Sequence, residues 1–304
     1  AASDVYKRQA LPLDPSVQIF LYRTDLFHDA KLCRAYYERF HENLVVPTTY
    51  EQYLHAAEFF TRSCNPDSPT EYGTTMTCGS ASVAASDFLP FYLSRIDRFG
   101  STPETLRLDC PEMQAAMRQY HALEKFSCKQ NWWGDSIQKF AEGKTAMTVI
   151  YSNYAAELIN SGNSVVVGRV GAAILPGCKP LLGGGIVGIS RYSQKAEACK
   201  QFFHWYYSAD VASLLVRLGG TSPIVDAYED FQNYSIFPWM NTSKKSFGLG
   251  QRGVINQTPE RFSIPKYEFA VGTAVRNVVQ DLMTPEDASR MAQALYDAAD
   301  PVCR

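Results

Sequence analysis

The 304-residue sequence has no excess of positive charge. It contains 29 Lys and Arg residues against 31 Asp and Glu residues, a formal net charge of −2. Proteins that bind nucleic acid through its phosphates usually present a basic face, so the sequence predicts no nucleic-acid partner. It also has no apolar run approaching the length of a membrane span, and residues 1–10 have no hydrophobic centre of the signal-peptide kind.

Motifs that mark catalytic and metal sites are missing as well. The eight cysteines form no C-x-x-C pair and no Cys/His cluster with zinc spacing, and neither G-x-S-x-G nor H-E-x-x-H occurs. We therefore predict no enzymatic activity, no cofactor and no metal site. The thiols are expected to be free and buried, with one or two disulfides left open for an exported protein.

Two glycine-rich stretches match phosphate-binding patterns only formally. Gly183, Gly184, Gly185 and Gly188 fit G-x-G-x-x-G, but the following residues are apolar and strand-like, and no acidic residue lies at the required distance downstream. The stretch 143–145 (GKT) lacks the upstream glycine of a phosphate loop. We expect the glycines at 183–185 to form a tight crossing of the chain or to line a cleft with their backbone.

Short apolar strands alternate with capped helices through most of the chain, which predicts the α/β class. Strands are expected at 17–21, 72–76, 145–151, 170–175 and 185–189. Helices are expected near 88–96, 111–126, 136–141 and 155–160.

Helix-start signals are clear at two further positions. Thr49 and Gln52 have the spacing of a capping box, and Thr284 precedes Pro285 at the start of the last helix. Two amphipathic helices are predicted after residue 190, capped by Ser193 and Ser208. Their apolar stripes are Cys199, Phe202, Phe203 and Tyr206 in the first, and Val211, Leu214, Leu215 and Leu218 in the second.

Aromatic residues make up 13% of the sequence, and four of them stand in turns or at strand ends. They are Trp132, Trp133, Tyr151 and Tyr154; the two indoles fall in a predicted turn and are expected to be exposed. Loops present side chains to clefts, where such rings can stack on the apolar face of a sugar. The alternative is that these rings only cover a hydrophobic core.

An ordered set of short stretches resembles the bacterial extracellular solute-binding proteins of ABC transporters, family 1, the sugar-binding type that includes maltose-binding protein. No one stretch is decisive, but together they cover residues 11–297 in family order. They are 20–27 (FLYRTDLF), 47–54 (PTTYEQYL), 140–147 (FAEGKTAM), 175–177 (LPG), 183–190 (GGGIVGIS), 198–205 (ACKQFFHW), 219–223 (GGTSP) and 284–288 (TPEDA).

The resemblance implies a type II periplasmic-binding-protein fold, with two α/β lobes that close on a ligand held between them. The expected function is the substrate-binding subunit of an ABC importer, which captures an oligosaccharide or sugar derivative and delivers it to membrane permease subunits. Such a protein is exported, works outside the cytoplasm as a monomer and is often lipid-anchored, although this chain shows no anchor. Two alternatives stay open: a binder of a non-sugar solute (polyamine, iron or phosphate ester) and, less favoured, a glycosidase.

By the same resemblance, 11–182 belongs to the second lobe, 183–231 returns to the first lobe and 232–304 completes the second. Residues 1–10 are interpreted as an artefactual leader. Because the resemblance begins at residue 11 within the second lobe, the opening segment of the family and the export signal are expected to be missing and the first lobe to be incomplete. The stripe from Val211 to Leu218 would then lack part of the sheet that it should cover. We expect residues 188–231 to be loosely held, and the chain to be poorly soluble.

The resemblance also points to ligand contacts. They are Trp132, Trp133, Tyr151, Asn153, Tyr154, Gly184, Gly185, Thr221, Ser222, Tyr267 and Glu268. Maltose binders have an aromatic residue and an Arg in the late segment, whereas this chain has Tyr267, Glu268 and Phe269 without a matching Arg. Specificity for maltodextrins is therefore not expected, and another oligosaccharide or a polyol phosphate remains open.

Overall fold

A computed structural model describes residues 10–96, 106–160, 162, 164–229, 232, 237–250 and 263–298. Of the predicted leader only residue 10 falls among them, and the predicted boundary at residue 231 lies outside them. Strands and helices alternate along most of the described chain, which confirms the predicted α/β class.

The described residues contain eight short strands. They are β1 (Leu11–Pro12), β2 (Ser16–Arg23), β3 (Thr74–Thr77), β4 (Ser127–Gln130), β5 (Met147–Tyr151), β6 (Val170–Ala173), β7 (Leu182–Gly183) and β8 (Ile186–Val187).

Twelve α-helices lie among the same residues. They are α1 (Thr24–Phe27), α2 (Ala30–Phe40), α3 (Tyr50–Phe59), α4 (Ala81–Leu93), α5 (Pro111–Glu124), α6 (Trp133–Ala141), α7 (Glu157–Asn160), α8 (Ala196–Tyr206), α9 (Ala209–Arg217), α10 (Pro238–Leu249), α11 (Ile264–Val279) and α12 (Pro285–Asp297). Short 3₁₀ turns occur at Ser152–Tyr154, Pro176–Cys178 and Val225–Tyr228.

Strand β2 is the centre of the main sheet. It pairs antiparallel with β5 on one side and with β6 and β7 on the other. Strands β3 and β4 pair in parallel, and a parallel bridge between Tyr72 and Thr145 places them beyond β5. Strand β1 pairs antiparallel with β8 away from this sheet.

The two faces of β2 belong to two different hydrophobic clusters, as the period of two in a strand requires. Phe20 faces a large cluster built with α3, α4, α5, α11 and α12. Val17, Ile19 and Leu21 face a smaller cluster that includes α6, α9 and α10. All four side chains are fully buried, so β2 is covered on both faces.

Local signals predicted several helix ends well. Thr49 Oγ1 accepts a hydrogen bond from Gln52 N at 3.2 Å, and the Gln52 side chain accepts one from Thr49 N, which confirms the capping box before α3. Thr284 caps α12 by accepting from Asp287 N at 3.1 Å.

Helix α4 begins at Ala81, well before the predicted 88, because Ser80 caps it at Val83 N.

The predicted caps of α8 and α9 are wrong. Helix α8 begins after Lys195 rather than Ser193, and the Ser193 hydroxyl accepts from Lys195 N in the preceding turn. Ser208 stands before α9, but its hydroxyl donates to the Trp205 carbonyl instead of capping the helix.

The predicted buried stripe of α8 is also wrong, since no residue of α8 is buried. In α9 the buried residues are Ala212 and Val216, whereas Leu214 and Leu218 are 54% and 66% exposed. Of the apolar stripe that the sequence predicted for α9, Val211 and Leu215 are half-buried and Leu214 and Leu218 are exposed.

Seven cysteines lie among the described residues and none of them forms a disulfide. Six are half-buried and Cys178 is exposed, so the expectation that these thiols are fully buried is wrong. Within the described ranges, no helix combines the length and apolar character that crossing a bilayer requires.

Candidate functional site

A cleft of about 340 Å³ opens at one end of the main sheet. This volume lies within the ordinary range for small-molecule sites. Its walls combine aromatic rings, hydroxyls, carboxylates, an amide and bare backbone. The lining residues are Asp14, Ser16, Ser82, Val83, Ser86, Trp132, Trp133, Tyr151, Asn153, Tyr154, Gly183, Gly184 and Glu268.

Strand register brings the first wall together. Gln18 pairs with Tyr151 and Ser16 pairs with Gly183, so the start of β2, the end of β5 and the end of β7 meet at one edge of the sheet. The 3₁₀ turn after Tyr151 then carries Asn153 and Tyr154 into the cleft.

Helices supply the remaining walls. Ser82 and Ser86 are four residues apart on α4 and therefore share one helix face. Glu268 lies one turn before Gly272 on α11, and a Cβ at Gly272 would lie 1.7 Å from the Ala81 carbonyl oxygen. Because Gly272 has no side chain, α11 can approach the start of α4 and bring Glu268 to the cleft.

The two neighbouring tryptophans have different environments. Trp132, just before α6, is 50% exposed and makes an edge contact with Tyr154 at a ring-centroid distance of 6.4 Å. Trp133, the first residue of α6, is 3% exposed and makes an edge contact with Tyr151 at 5.1 Å. The prediction of two exposed indoles is therefore wrong for Trp133. Trp132 is the ring with a large free surface.

The glycine crossing lines the cleft with backbone. Gly184 has φ of +104°, a conformation open to glycine at little cost, and a Cβ there would lie 2.3 Å from the Asp14 carbonyl oxygen. The Gly185 N–H donates to Asp14 Oδ1, and Leu13 N donates to the Gly185 carbonyl at 2.9 Å. The loop before β2 and the glycine crossing are thus held together, which fixes Asp14 at the edge of the cleft.

Buried Gln18 joins two walls of the cleft from behind. Its Nε2 donates to the Ser86 carbonyl at 2.8 Å, and its Oε1 accepts from Leu181 N at 2.9 Å. Gln18 is fully buried, and an unpaired amide at such a depth costs free energy. The side chain therefore holds α4 and the approach to β7 at a fixed spacing.

Polar groups in the cleft are rich in hydrogen-bond acceptors. Asp14 and Glu268 contribute carboxylates, and Asn153 Oδ1 is buried and accepts no hydrogen bond. Burial raises the pKa of Tyr154, a side-chain hydrogen bond with Trp132 opposes this rise, and the charge of Asp14 adds to it.

Asp87, the neighbour of cleft residue Ser86, points away into the core. Its Oδ2 accepts from Tyr120 Oη at 2.6 Å and from Thr77 N at 3.1 Å. Burial raises the pKa of Asp87 to about 7, because desolvation of the carboxylate outweighs these two hydrogen bonds. A buried acid that titrates near neutrality thus lies one residue behind the cleft wall.

Seven of the eleven predicted ligand contacts line the cleft: Trp132, Trp133, Tyr151, Asn153, Tyr154, Gly184 and Glu268. Gly185 lies just behind its wall, bonded to Asp14. Tyr267 is 1% exposed and lies in the large hydrophobic cluster.

Thr221 and Ser222 lie outside the cleft lining. The Ser222 N–H donates to Tyr228 Oη at 2.8 Å, and its hydroxyl accepts from Ile224 N at 3.1 Å. Ser222 therefore stabilises a local turn in this structure.

Sequence reasoning missed five lining residues, Asp14, Ser16, Ser82, Val83 and Ser86. Gly183 also lines the cleft; it was expected only as part of the glycine crossing. The spacing of Ser82 and Ser86 was a usable signal, because two hydroxyls four residues apart on a helix share one face. Asp14 and Ser16 had no such signal, since only the pairing of β2 with β7 brings them to the cleft.

The described residues hold no group of three or more His, Cys, Asp or Glu side chains arranged to bind a metal ion. The cleft is thus a surface of rings and polar groups that can bind a small amphiphilic molecule. Asp14 and Glu268 are the acidic side chains among its lining residues.

Comparison with known proteins gives a consistent result. Residues 2–239 match a family described as bacterial extracellular solute-binding protein. One similar solved structure is an ABC transporter solute-binding protein from Agrobacterium radiobacter K84 in complex with ribitol. Its TM-score is 0.76 at 22% identity, over 95% of this chain and 71% of that chain.

Two further structures are similar to the same degree. Maltose-bound MalE3 of T. maritima has a TM-score of 0.73 at 21% identity, over 94% of this chain and 72% of that one. A solute-binding protein from Agrobacterium vitis S4 with bound D-mannitol has a TM-score of 0.73 at 19% identity, over 95% and 72% of the two chains. At these identities the likeness shows a shared fold.

Proposed function

The chain belongs to the family of bacterial extracellular solute-binding proteins, and we propose that it is the carbohydrate-binding subunit of an ABC importer. The resemblance read from the sequence is confirmed at the level of this family and its two-lobe α/β fold. The ligand is a sugar, a polyol or a short oligosaccharide, and the protein passes it to membrane permease subunits. This is a binding function without chemical conversion of the ligand.

The main support for the proposal is that a half-exposed indole and several polar side chains line the same cleft. Trp132 has free surface to stack on the apolar face of a sugar ring. The hydroxyls of Ser82 and Ser86 and the amide of Asn153 line the same cleft. A sugar is apolar on its ring faces and polar around its edge, so this cleft matches both parts.

Ligands of the similar structures agree with this choice. They include ribitol, maltose and D-mannitol, which are all neutral polyhydroxylated molecules. The chain gives no reason to prefer maltose among them, because its late segment has Tyr267, Glu268 and Phe269 without a matching Arg.

We assign residues 11–182 and 232–304 to one lobe and 183–231 to the other. The crossing at Gly183 and Gly184 would then be a hinge that also touches the ligand. The family places the protein outside the cytoplasm, and we propose that it acts there as a monomer tethered or soluble beside its permease.

A cationic amine, such as a polyamine, is the second candidate ligand. The cleft has two carboxylates and four aromatic rings, and no Lys, Arg or His side chain is among its described lining residues. Aromatic faces and carboxylates both attract ammonium groups. This arrangement favours a polyamine over iron or a phosphate ester.

A thermal-shift screen of the purified chain tests the proposal. The panel contains ribitol, D-mannitol, maltose, tagatose, chitin oligosaccharides, xylo-oligosaccharides and spermidine, each at about 1 mM, with dissociation constants then measured by calorimetry. A ligand that binds only the folded state at 100 times its Kd adds about 2.7 kcal/mol of stability, so Tm should rise by several degrees. A rise in Tm with spermidine alone would show that the ligand is a polyamine and not a carbohydrate. No rise in Tm with any member of the panel would contradict the proposal.

A further inference from the structure

A path of buried hydrogen bonds runs behind the cleft from helix α6 to helix α5. Ser136 Oγ and Thr77 Oγ1 share a hydrogen bond, with 2.7 Å between the two oxygens. Asp87 Oδ2 accepts hydrogen bonds from Thr77 N at 3.1 Å and from Tyr120 Oη at 2.6 Å. All four side chains are buried. The path therefore links α6, β3, α4 and α5 in the interior of the protein.

Two members of this path adjoin walls of the cleft. Asp87 directly follows Ser86 on α4, and the Ser86 side chain lines the cleft. Ser136 lies in the first turn of α6, where its N–H donates to the carbonyl of the lining residue Trp132 at 3.1 Å. Thr77 connects the two through its backbone N–H and its hydroxyl. The path thus joins the serine wall on α4 to the tryptophan wall at the start of α6.

The charge of Asp87 determines how strongly the path holds these walls. An ionised carboxylate only accepts hydrogen bonds, and such charge-assisted bonds are roughly twice as strong as neutral ones. A protonated carboxyl accepts more weakly, because its charge is gone. Burial raises the pKa of Asp87 to about 7, so both forms are populated near neutral pH. Loss of the proton strengthens the bonds from Thr77 and Tyr120 to α4.

Other titratable groups that act on or face Asp87 stay uncharged over the same pH range. Burial raises the pKa of each of them, and they come from α3, α5 and the residue after β3: Tyr50, Tyr53, Tyr120 and Cys78. Charged side chains act on Tyr50 or Cys78 from α4 itself, α5, β4 and α11; they are Arg95, Glu124, Lys129 and Arg276. Asp87 forms no ion pair with a described residue. Within this cluster, Asp87 is the group whose charge changes near pH 7.

Space beside Asp87 permits its hydrogen bonds to change. Asp87 and Tyr50 both line a small cavity of about 10 Å³. The Tyr50 hydroxyl is buried and has no hydrogen-bond partner among the described residues. A close-packed interior would resist a rearrangement, whereas side chains next to open space can adjust.

We propose that Asp87 is a positioning residue of the cleft, which holds the serine wall on α4 and the tryptophan wall on α6 in the binding geometry more firmly when it is ionised than when it is protonated. This proposal rests on the proposed carbohydrate-binding function and adds a pH dependence to it. Affinity rises as Asp87 loses its proton, because fewer groups must then be ordered on binding. By reciprocity, ligand binding favours ionised Asp87 and releases protons near pH 7.

Calorimetry at about pH 5.5 and about pH 8 tests this proposal. The probe is the neutral carbohydrate of the screening panel that raises Tm most: ribitol, D-mannitol, tagatose, maltose, a chitin oligosaccharide or a xylo-oligosaccharide. We expect a Kd about five-fold or more larger at the lower pH, the low end of the usual range for coupled sites. Heats measured near pH 7 in buffers of different ionisation enthalpy should show that a fraction of a proton is released per ligand bound.

Variants assign the pH effect to Asp87 and to its path. Asp87→Asn cannot ionise, so it should have the low-pH Kd of the wild type at both pH values and should release no proton. Asp210→Asn, at an exposed residue of α9, is the matched control and should keep the wild-type profile. Ser136→Ala removes the hydroxyl that joins Thr77 to α6. It should reduce the pH effect on Kd while the pH dependence of Tm is retained, which a purely structural role of Asp87 would not produce.

Each outcome supports or overturns the positioning role. A Kd at about pH 5.5 that equals or is below the Kd at about pH 8 overturns it and leaves the carbohydrate-binding function standing. The same holds for a pH effect that persists in Asp87→Asn or is undiminished in Ser136→Ala. If Asp87→Asn does not fold, the wild-type profile and Ser136→Ala still decide. No binding of any panel carbohydrate at either pH overturns both proposals.

Discussion

The main sheet with its helices and the segment 184–229 have the same kind of sequence but differ in packing. Both contain amphipathic helices, α6 beside the sheet and α8 and α9 in the segment. Around the sheet, Phe20, Phe88 and Phe140 are fully buried. In the segment, Ile186 and Leu218 are 75% and 66% exposed. Periodicity therefore indicates which face of a helix is apolar, but not whether another element covers it.

The segment is attached to the rest of the chain at a few points. Tyr206 Oη and Tyr207 Oη donate to the carbonyls of Leu13 and Pro12, and β8 pairs with β1. On α9, Val216 packs in the smaller hydrophobic cluster. The rings on α8 contact one another instead, as Phe202 and Trp205 do at 5.6 Å between centroids. Stability should therefore be concentrated around the sheet.

Replacing one phenylalanine in each region should give the largest contrast. Phe88→Ala leaves a cavity in the large cluster and should lower the free energy of unfolding by about 3–5 kcal/mol. Phe202→Ala, at a residue 47% exposed on α8, should change it by less than about 0.5 kcal/mol. Urea unfolding of both variants measures the difference. Equal losses would mean that the two regions are packed alike.

Asp87 should make the stability of the sheet region depend on pH. Its pKa is about 7 when folded and near 3.9 when unfolded, so the folded chain binds more protons between about pH 4 and 7. Stability therefore falls as pH rises through that window and levels off above it.

Asp87→Asn should remove this contribution. The wild type should lose on the order of a few kcal/mol relative to the variant between pH 4 and pH 8, measured by thermal unfolding at each pH. A constant difference between the two proteins across that range would show that Asp87 keeps the same protonation state when the chain folds.

Gln18→Leu should have a smaller effect, and it should lower both the free energy of unfolding and the affinity for the ligand. The substitution leaves Leu181 N and the Ser86 carbonyl without their side-chain partner, at a cost of about 1–3 kcal/mol. Because Gln18 sets the spacing of two cleft walls, affinity for the ligand found in the screen should also drop. Gln201→Leu, on the exposed surface of α8, is the control and should alter neither quantity. Loss of stability with unchanged affinity would refute the positioning role.

The smallest change in the free energy of unfolding is expected from a substitution on the exposed face of α9. Leu214→Ser should change the free energy of unfolding by less than about 0.5 kcal/mol and should reduce aggregation measured by light scattering. Val216→Ser on the same helix removes a fully buried side chain and is the destabilising control. Strong hydrogen-exchange protection across residues 211–218 of the monomer would contradict a loosely held segment.

Local structure could be predicted from the sequence where residues close together in the chain determine it. The capping box of Thr49 and Gln52 is an example, since both partners lie within one turn. The strand at 17–21 was also clear, because its run of apolar residues is buried on both faces. The glycines at 183–185 were correctly expected to have a backbone role.

Contacts between residues far apart in the sequence could not be predicted in this way. Trp133 was expected to be exposed, but the helix begins at that residue and turns its ring against Tyr151. Tyr267 and Glu268 were both placed in the site, but only Glu268 lines the cleft. One residue is about 100° on a helix, so neighbours in the same predicted segment can lie on different faces.

Trp132 offers the most direct test of the proposed carbohydrate site. Calorimetry with the sugar or polyol that raises Tm should compare Trp132→Ala with Trp205→Ala, a tryptophan 58% exposed on α8 and outside the cleft lining. Loss of the cleft indole should weaken binding about 30-fold or more, the scale of a 2 kcal/mol aromatic anchor, while the α8 variant keeps the wild-type Kd. Equal affinity of the two variants and the wild type would contradict a binding site at this cleft.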